Sequence, residues 1–240
     1  MSNIFSYYVK LNANYGYKNW NSLREALREL DHHTPYLVMR NYENLSEQCY
    51  YMDGHNDIDF LVQDIWKAME VLHVHDNINW GSPNHFSITI QGRKVKIGLR
   101  YVGDGYYDTK WQEVMLQKRK LFKDDFYIMD DENYFYSLLY HMLLQKKDPL
   151  LDYIERLDKM KDKFIGYEPS DYDELLFSFL SKHNYVVPYP YDPSVIVNFH
   201  NVPKHIQKGY ASWIKRKTLW QCFRFIYRVK WKFWGRISNE

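Results

Sequence analysis

The sequence lacks the features that mark several large classes of protein. Its 240 residues include two cysteines, Cys49 and Cys222, which stand far apart and argue against a disulfide scaffold or a cysteine-rich zinc site. No apolar run approaches the roughly 18 residues that a membrane-spanning helix needs. The first residues carry no basic flank and no long apolar run, which argues against a secretory signal. We therefore expect a cytoplasmic protein in a reducing compartment.

Several sequence motifs of catalysis are missing as well. The sequence has no G-x-x-x-x-G-K-[ST] loop, no G-x-G-x-x-G pattern and no nucleophile elbow, so ATPase, dinucleotide-binding and α/β-hydrolase chemistries are poorly supported. The histidines of His32-His33 and His73-x-His75 have no further histidine or cysteine at the spacing of a zinc site. We expect them to be solvated or core residues.

The sequence does contain a strong asymmetry of charge. The formal net charge is +2, but the stretch from Lys204 to Glu240 has ten basic residues and one acidic residue and carries +9. The rest of the chain has 22 basic and 29 acidic residues, or −7. Hydrophobic residues make up 45%, which predicts a folded body rather than a disordered one. A basic end on a mildly acidic body predicts contact with an anionic surface of lipid or nucleic acid.

Hydrophobic periodicity predicts an α+β fold, with a small mixed β-sheet followed by a helical C-terminal half. In the first half we expect helices over 20–30 and 64–73, strands over 36–39 and 58–62, and a hairpin of 86–90 with 95–101. After Asp108 we expect helices alone, over 108–120, 131–146, 148–162, 171–182 and 205–235. We divide the chain into an α/β core over 1–125, a helical subdomain over 126–203 and a basic aromatic C-terminal helix over 204–240.

The segment with the clearest chemistry holds two carboxylates at the start of a predicted strand. Asp57 and Asp59 are two positions apart, so they project from the same face while Ile58 and Phe60 enter the core. Two carboxylates on one face repel each other, and a shared divalent cation such as Mg²⁺ or Mn²⁺ removes that cost. The alternative is a solvated acidic edge with no ligand. We expect Asp57 and Asp59 to hold a metal.

Four segments of the chain extend this pattern. They read YLVMRNYE at 36–43, DIDFLV at 57–62, LRYVGDGYYD at 99–108 and YFYSLLYH at 134–141. Together they resemble the nucleotidyltransferase superfamily of DNA polymerase β type, and within it a bacterial branch found among surface-polysaccharide genes. The resemblance covers about residues 20 to 150. It implies a nucleotidyltransferase-like core and a phosphate-handling transferase in which Asp57 and Asp59 hold the metal.

The resemblance also implies features that the sequence does not have. The superfamily places a third carboxylate on a neighbouring strand, and by pattern that position is Gly98. Asp104 or Asp108 could supply the missing carboxylate as a catalytic residue. A Gly-Ser pair usually precedes the two carboxylates, and here Arg40 and Asn41 stand in that region.

The remaining candidates are substrate-binding residues. Arg40 and Arg100 would bind phosphate through their planar guanidinium groups, with Asn41 beside them. His55 stands two residues before Asp57 and could orient a phosphate or act as a base. The aromatic candidates for stacking on a base or sugar are Tyr106, Tyr107 and Trp111; their alternative is a tight turn that leads into a helix capped by Asp108. His141 and Lys146 could face the substrate, or they could serve packing and solvent.

The last predicted helix places large aromatic residues at a spacing of seven. Trp213, Trp220, Tyr227 and Trp234 share one face, with Lys217 along one edge. Aromatic and basic residues together suit the headgroup region of an anionic membrane. The alternatives are a helix packed wholly on its own domain and, least favoured, a surface for single-stranded nucleic acid.

We therefore expect a metal-dependent transferase acting on a nucleotide-activated sugar or alditol phosphate in surface-polysaccharide biosynthesis. The acceptor would be lipid-linked or a glycan, and the protein would be cytoplasmic, at the inner face of the membrane. The alternative is a catalytically inactive binding module of the same fold that docks to membrane or partner enzymes. The enzyme hypothesis requires Asp57 and Asp59 to point the same way, without a lysine or arginine filling the gap between them.

Overall fold

The computed structural model describes most of the chain, with gaps in several connections. The described residues are 10–11, 13–42, 45, 57–75, 85–123, 125–146, 151–164, 172–192, 194–200 and 202–237. For residues 162, 223, 224 and 226–237 it describes the backbone only.

Seven strands form one mixed sheet, with the order β1-β4-β5-β3-β2-β7-β6. In chain order they are β1 (Asn19–Trp20), β2 (Tyr36–Val38), β3 (Asp57–Val62), β4 (His85–Ile90), β5 (Arg93–Tyr101), β6 (Lys120–Phe122) and β7 (Phe126–Ile128). Two short strands, β8 (Val187–Pro188) and β9 (Gln207–Lys208), pair in parallel in a second sheet. β3 lies at the centre of the large sheet, parallel to β5 and antiparallel to β2.

Helices of ordinary α type follow and separate these strands. They are α1 (Leu23–His33), α2 (Ile65–Leu72), α3 (Thr109–Gln117), α4 (Asp131–Tyr140), α5 (Leu151–Phe164), α6 (Tyr172–Lys182) and α7 (Tyr210–Ile237). α4 continues directly into a π-helical turn, His141–Gln145. Four of the α-helices have an N-cap residue whose side chain accepts hydrogen bonds from backbone N–H groups: Ser22, Asp64, Asp108 and Asp130. Within the described residues the fold is thus mixed α and β, with a seven-stranded mixed sheet and seven α-helices.

The β4–β5 hairpin agrees with its predicted position because its turn chemistry and its alternation agree. Gln91 and Gly92 both have positive φ, 50° and 74°, as a two-residue hairpin turn requires. Ile88 pairs with Val95 and Phe86 with Ile97 across the ladder. This register also sets which residue of β4 faces Gly98, since every pair is counted from the same turn.

The prediction of helices alone after Asp108 is wrong. Residues 120–122 and 126–128 form β6 and β7, which pair antiparallel, and β7 pairs in parallel with β2 at the sheet edge. The first predicted helix, 108–120, therefore ends at Gln117. The two strands have three residues each, too few for alternation to be distinguished from helical spacing.

One buried apolar cluster reaches from Leu11 to Trp220 and contains residues from all three predicted segments. Its centre includes Phe60, Leu99 and Leu139, each with no exposed surface. The division into 1–125, 126–203 and 204–240 stays a prediction.

The C-terminal helix α7 does not present the predicted aromatic face as a whole. Trp220 is buried, and Trp213 packs beside Tyr189, whereas Ile214 and Phe225 are exposed. The side chains of Tyr227 and Trp234 lie outside the described residues. Among the helices that the structure describes, none is both long enough and apolar enough to cross a membrane.

Candidate metal and anion site

Three strands of the sheet bring candidate ligands into one row. In the ladder Asp59 of β3 lies opposite Gly98 of β5, and Gly98 lies opposite His85 of β4. Asp57 lies two residues before Asp59 and therefore faces the same side. One ligand atom from each of Asp57, Asp59 and His85 lies within 4.8 Å of the others. The two aspartates thus point the same way, as the spacing predicts, and a histidine joins them.

Gly98 is what allows this row to close. A Cβ built on Gly98 would overlap Oδ1 of Asp59 and would lie 3.6 Å from Cδ2 of His85. The place that a side chain at position 98 would take, where the resemblance implies a third carboxylate, is therefore occupied by the carboxylate of Asp59. His85 lies beside that place, on the strand at the other side of Gly98. Sequence reasoning missed His85, although counting back from the Gln91-Gly92 turn pairs it with Gly98.

A buried arginine holds the other side of Asp59. Nη2 of Arg40 lies 2.9 Å from Oδ2 of Asp59 and 3.1 Å from the hydroxyl of Tyr106, and Nη1 lies 3.4 Å from the hydroxyl of Tyr107. Burial alone would lower the pKa of Arg40, but the two tyrosines and Asp59 keep that pKa well above its ordinary value. Arg40 is therefore a permanent cation on Oδ2, while Oδ1 faces Gly98. A buried arginine thus already pairs with one of the two aspartates, which counts against the enzyme hypothesis by the condition set above.

The second predicted phosphate ligand, Arg100, is paired within the protein. Its Nη1 lies 3.1 Å from Oδ2 of Asp192, and its guanidinium lies over the ring of Tyr106 at 4.5 Å. Asp192 is itself positioned by Ser194, whose backbone N–H and hydroxyl both donate to Oδ1. A carboxylate thus stands where the sequence predicts a phosphate.

Asp104 and Asp108 are not part of the row. Asp104 is buried, and its Oδ1 accepts from the Tyr106 backbone N–H and from the Gln112 side chain. Burial raises the pKa of Asp104, and the charge of Arg100 opposes that rise. Asp108 caps α3 through Oδ1, and its Oδ2 accepts from the Val186 backbone N–H at 3.1 Å. Oδ2 of Asp104 is buried and has no hydrogen-bond partner among the described residues. Neither residue belongs to the cluster of Asp57, Asp59 and His85, and the expectation that one of them completes the metal site stays a prediction.

The aromatic candidates are core residues. Tyr106, Tyr107 and Trp111 are 4%, 0% and 0% exposed. The indole of Trp111 donates to Asn133 and stacks on the ring of Tyr185 at 5.7 Å. In this conformation the three rings are covered by the protein, and their role in substrate stacking stays a prediction. The tyrosine hydroxyls act by orienting Arg40.

His141 extends the same network from the π-helical turn. Its Nδ1 lies 2.8 Å from Oε1 of Gln145 and 3.3 Å from the hydroxyl of Tyr106. Burial lowers its pKa well below the ordinary value, and the charges of Arg40 and Lys146 lower it further. The imidazole is therefore neutral at pH 7. Lys146 acts on the network through this charge and is itself half-buried.

Asn41 follows Arg40 with a left-handed backbone, φ 58°, and its amide oxygen accepts from Arg156 of α5 at 3.0 Å. That contact ties the segment after β2 to the helical region. His55 lies outside the described residues.

No known family model, no curated protein and no solved structure matches this chain. The nucleotidyltransferase resemblance therefore stays a prediction. Chemically, the arrangement offers two carboxylates and an imidazole for a cation, with Arg40 fixing the orientation of one carboxylate.

Proposed function

We propose that this protein is a metal-dependent transferase of nucleotidyltransferase type that acts on a nucleotide-activated sugar or alditol phosphate in surface-polysaccharide biosynthesis. The observation that carries the proposal is the convergence of Asp57, Asp59 and His85, with one ligand atom each within 4.8 Å. The class of substrate rests on the sequence resemblance.

The donor atoms suit a divalent cation, and the imidazole nitrogen among them affects which cation is preferred. Mg²⁺ prefers oxygen ligands, whereas an imidazole nitrogen also suits Mn²⁺ and later transition metals. When bound, such an ion neutralises charge on a transferring phosphoryl group. Asp57 and Asp59 would hold it, and Arg40 keeps Asp59 in place because a buried guanidinium restricts the rotation of that carboxylate.

Arg100 would bind a phosphate oxygen of the donor in place of Asp192. Both are anionic oxygen ligands of a guanidinium, so the exchange conserves charge pairing. The exchange requires Asp192 to move away from Arg100, since Asp192 is 2% exposed in this conformation.

The acceptor side of the proposal concerns the basic C-terminal stretch. Its charge of +9 and the exposed Ile214 and Phe225 of α7 support contact with an anionic membrane, where a lipid-linked or glycan acceptor would be found. We accordingly propose a cytoplasmic location at the inner membrane face.

A second candidate is a catalytically inactive module of the same fold that docks to membrane or partner enzymes. Two observations favour it: Gly98 bears no carboxylate, and Arg40 pairs with Asp59. In this case the row is an ion-pair network that maintains the fold.

Thermal shift measurements separate the two candidates. The unmodified protein is melted with MnCl₂ or MgCl₂ and a panel of nucleotide sugars and nucleotide alditols, beside Asp57→Asn with Asp59→Asn. The matched control is Asp173→Asn with Glu174→Gln, two exposed acids of α6. The transferase predicts a metal-dependent shift in wild type and control that the first double variant loses. No shift with any nucleotide and metal supports the inactive module.

A further inference from the structure

The row of Asp59, Gly98 and His85 has a geometry that a sheet forms only when the central residue has no side chain. Side chains two strands apart start roughly 10 Å from each other, because neighbouring strands are about 4.8 Å apart. Here the residue between them is glycine, so Oδ1 of Asp59 takes the place of the absent Cβ, and Cδ2 of His85 lies 3.6 Å from that place.

The distance between the side chains of His85 and Asp57 is one that a shared metal ion would span. Nε2 of His85 lies 3.9 Å from Oδ2 of Asp57, which is too long for a direct hydrogen bond. Two ligands that each lie about 2.1 Å from one ion are separated by at most about 4.2 Å. A cation between these two atoms therefore needs little movement of either side chain, whereas binding by all three residues, whose ligand atoms lie within 4.8 Å of one another, requires them to move closer together.

We propose that His85 is the third metal ligand of this site, in the place of the missing carboxylate, and that it makes the site prefer Mn²⁺ and later transition metals to Mg²⁺. The inference rests on the proposed function, because Asp57 and Asp59 supply the other two ligands. Imidazole nitrogen is a softer ligand than carboxylate oxygen, and the preference follows from that difference.

The sheet fixes the backbone of His85 and leaves its side chain accessible, as a metal ligand requires. His85 opens β4, where its backbone is held in the ladder opposite Gly98, so only its side-chain rotations remain free. Its side chain is 38% exposed and that of Asp57 is 40% exposed, which leaves one side of the site open to water and substrate. Asp59 is the inner ligand, because Arg40 holds its far oxygen.

The test is binding of the metal alone to the full chain. Mn²⁺ affinity is measured from the EPR signal of the free ion, and Mg²⁺ affinity by its competition with Mn²⁺. The variants are His85→Ala, His85→Asp and Asp57→Asn with Asp59→Asn. The control is His32→Ala, an exposed histidine of α1.

We expect His85→Ala to weaken Mn²⁺ binding at least about tenfold. Substitution of residues that only hydrogen-bond to a metal ligand already weakens metal binding by about that factor, and loss of a ligand should cost no less. Mg²⁺ affinity should change much less, so the Mn²⁺ preference falls. His85→Asp should raise Mg²⁺ affinity relative to Mn²⁺, because it restores an all-oxygen site. His32→Ala should match wild type. Pulsed EPR of bound Mn²⁺ should show one coupled imidazole nitrogen, absent in His85→Ala.

The outcomes separate this inference from the proposed function. If Mn²⁺ binds equally well to wild type and His85→Ala, but not to the double aspartate variant, His85 is not a ligand and the transferase proposal survives. If bound Mn²⁺ shows no nitrogen coupling, the inference is likewise overturned. If wild type binds neither ion alone or with nucleotide, both the inference and the transferase proposal fail.

Discussion

The buried pair of Arg100 and Asp192 gives the sharpest stability prediction. Their side chains are 9% and 1% exposed, and 92 residues of sequence separate them. In Asp192→Ala the guanidinium of Arg100 keeps its charge and loses its carboxylate. Breaking a buried pair in this way costs about 3–5 kcal/mol. Nearby Asp104 still attracts Arg100, so we expect the lower end, about 3 kcal/mol.

The assay is urea unfolding followed by tryptophan fluorescence, with thermal melting beside it. A loss of about 3 kcal/mol corresponds to a fall in Tm of roughly 6–12 °C for a chain of this size. The control is Glu70→Ala, which breaks the exposed pair with Lys67. That pair should contribute less than about 0.5 kcal/mol.

An unfolding free energy of Asp192→Ala within about 1 kcal/mol of the control would refute the assumption that Arg100 is desolvated. A second measurement concerns the proposed exchange of carboxylate for phosphate. Inorganic phosphate should stabilise Asp192→Ala more than wild type, because the anion takes the vacated place on Arg100. If the variant is destabilised but phosphate stabilises it no more than wild type, the buried ion pair is supported and the proposed binding of phosphate by Arg100 is refuted.

Three further predictions concern the residues around this pair. Trp111→Ala should cost about 3–5 kcal/mol in urea unfolding, because it empties a fully buried position; a loss below about 1 kcal/mol would contradict the burial of the indole. Asp108→Ala should lower the free energy of unfolding by about 2 kcal/mol, because it removes the cap of α3 and the acceptor of the Val186 N–H. The control Asp173→Ala, at an exposed position of α6, should leave that free energy almost unchanged. Because the pKa of His141 is lowered in the folded state, the unfolded chain binds more protons below about pH 6.5. Wild type should therefore lose stability relative to His141→Gln as the pH falls through that value, and parallel stability curves would disprove a buried neutral imidazole.

Local patterns in the sequence predicted most of the first half of the fold. The strand over 58–62, the helix over 64–73 and the hairpin of 86–90 with 95–101 agree with the structure to within a few residues. These elements carry strong periodicity, an aspartate cap or a defined turn, all of which act over a few residues. The strands β6 and β7 have none of these signals, and they form because the edge of β2 is available for pairing.

In the candidate site, too, the local pattern of the sequence predicted some features and missed others. The alternation of β3 was enough to place Asp57 and Asp59 on one face. Nothing in the local pattern of Tyr106 or Trp111 shows that other elements cover them, so an aromatic run predicted as a ligand surface is in fact core.

The sequence by itself determined most elements of the first half of the fold and the shared direction of the two aspartates, because each depends on neighbours along the chain. Only the tertiary structure decided that His85 joins them, that Arg40 and Arg100 are paired with Asp59 and Asp192, and that the aromatic residues are buried. These contacts depend on which strands and loops come together across tens of residues, and periodicity along one segment carries no information on that pairing.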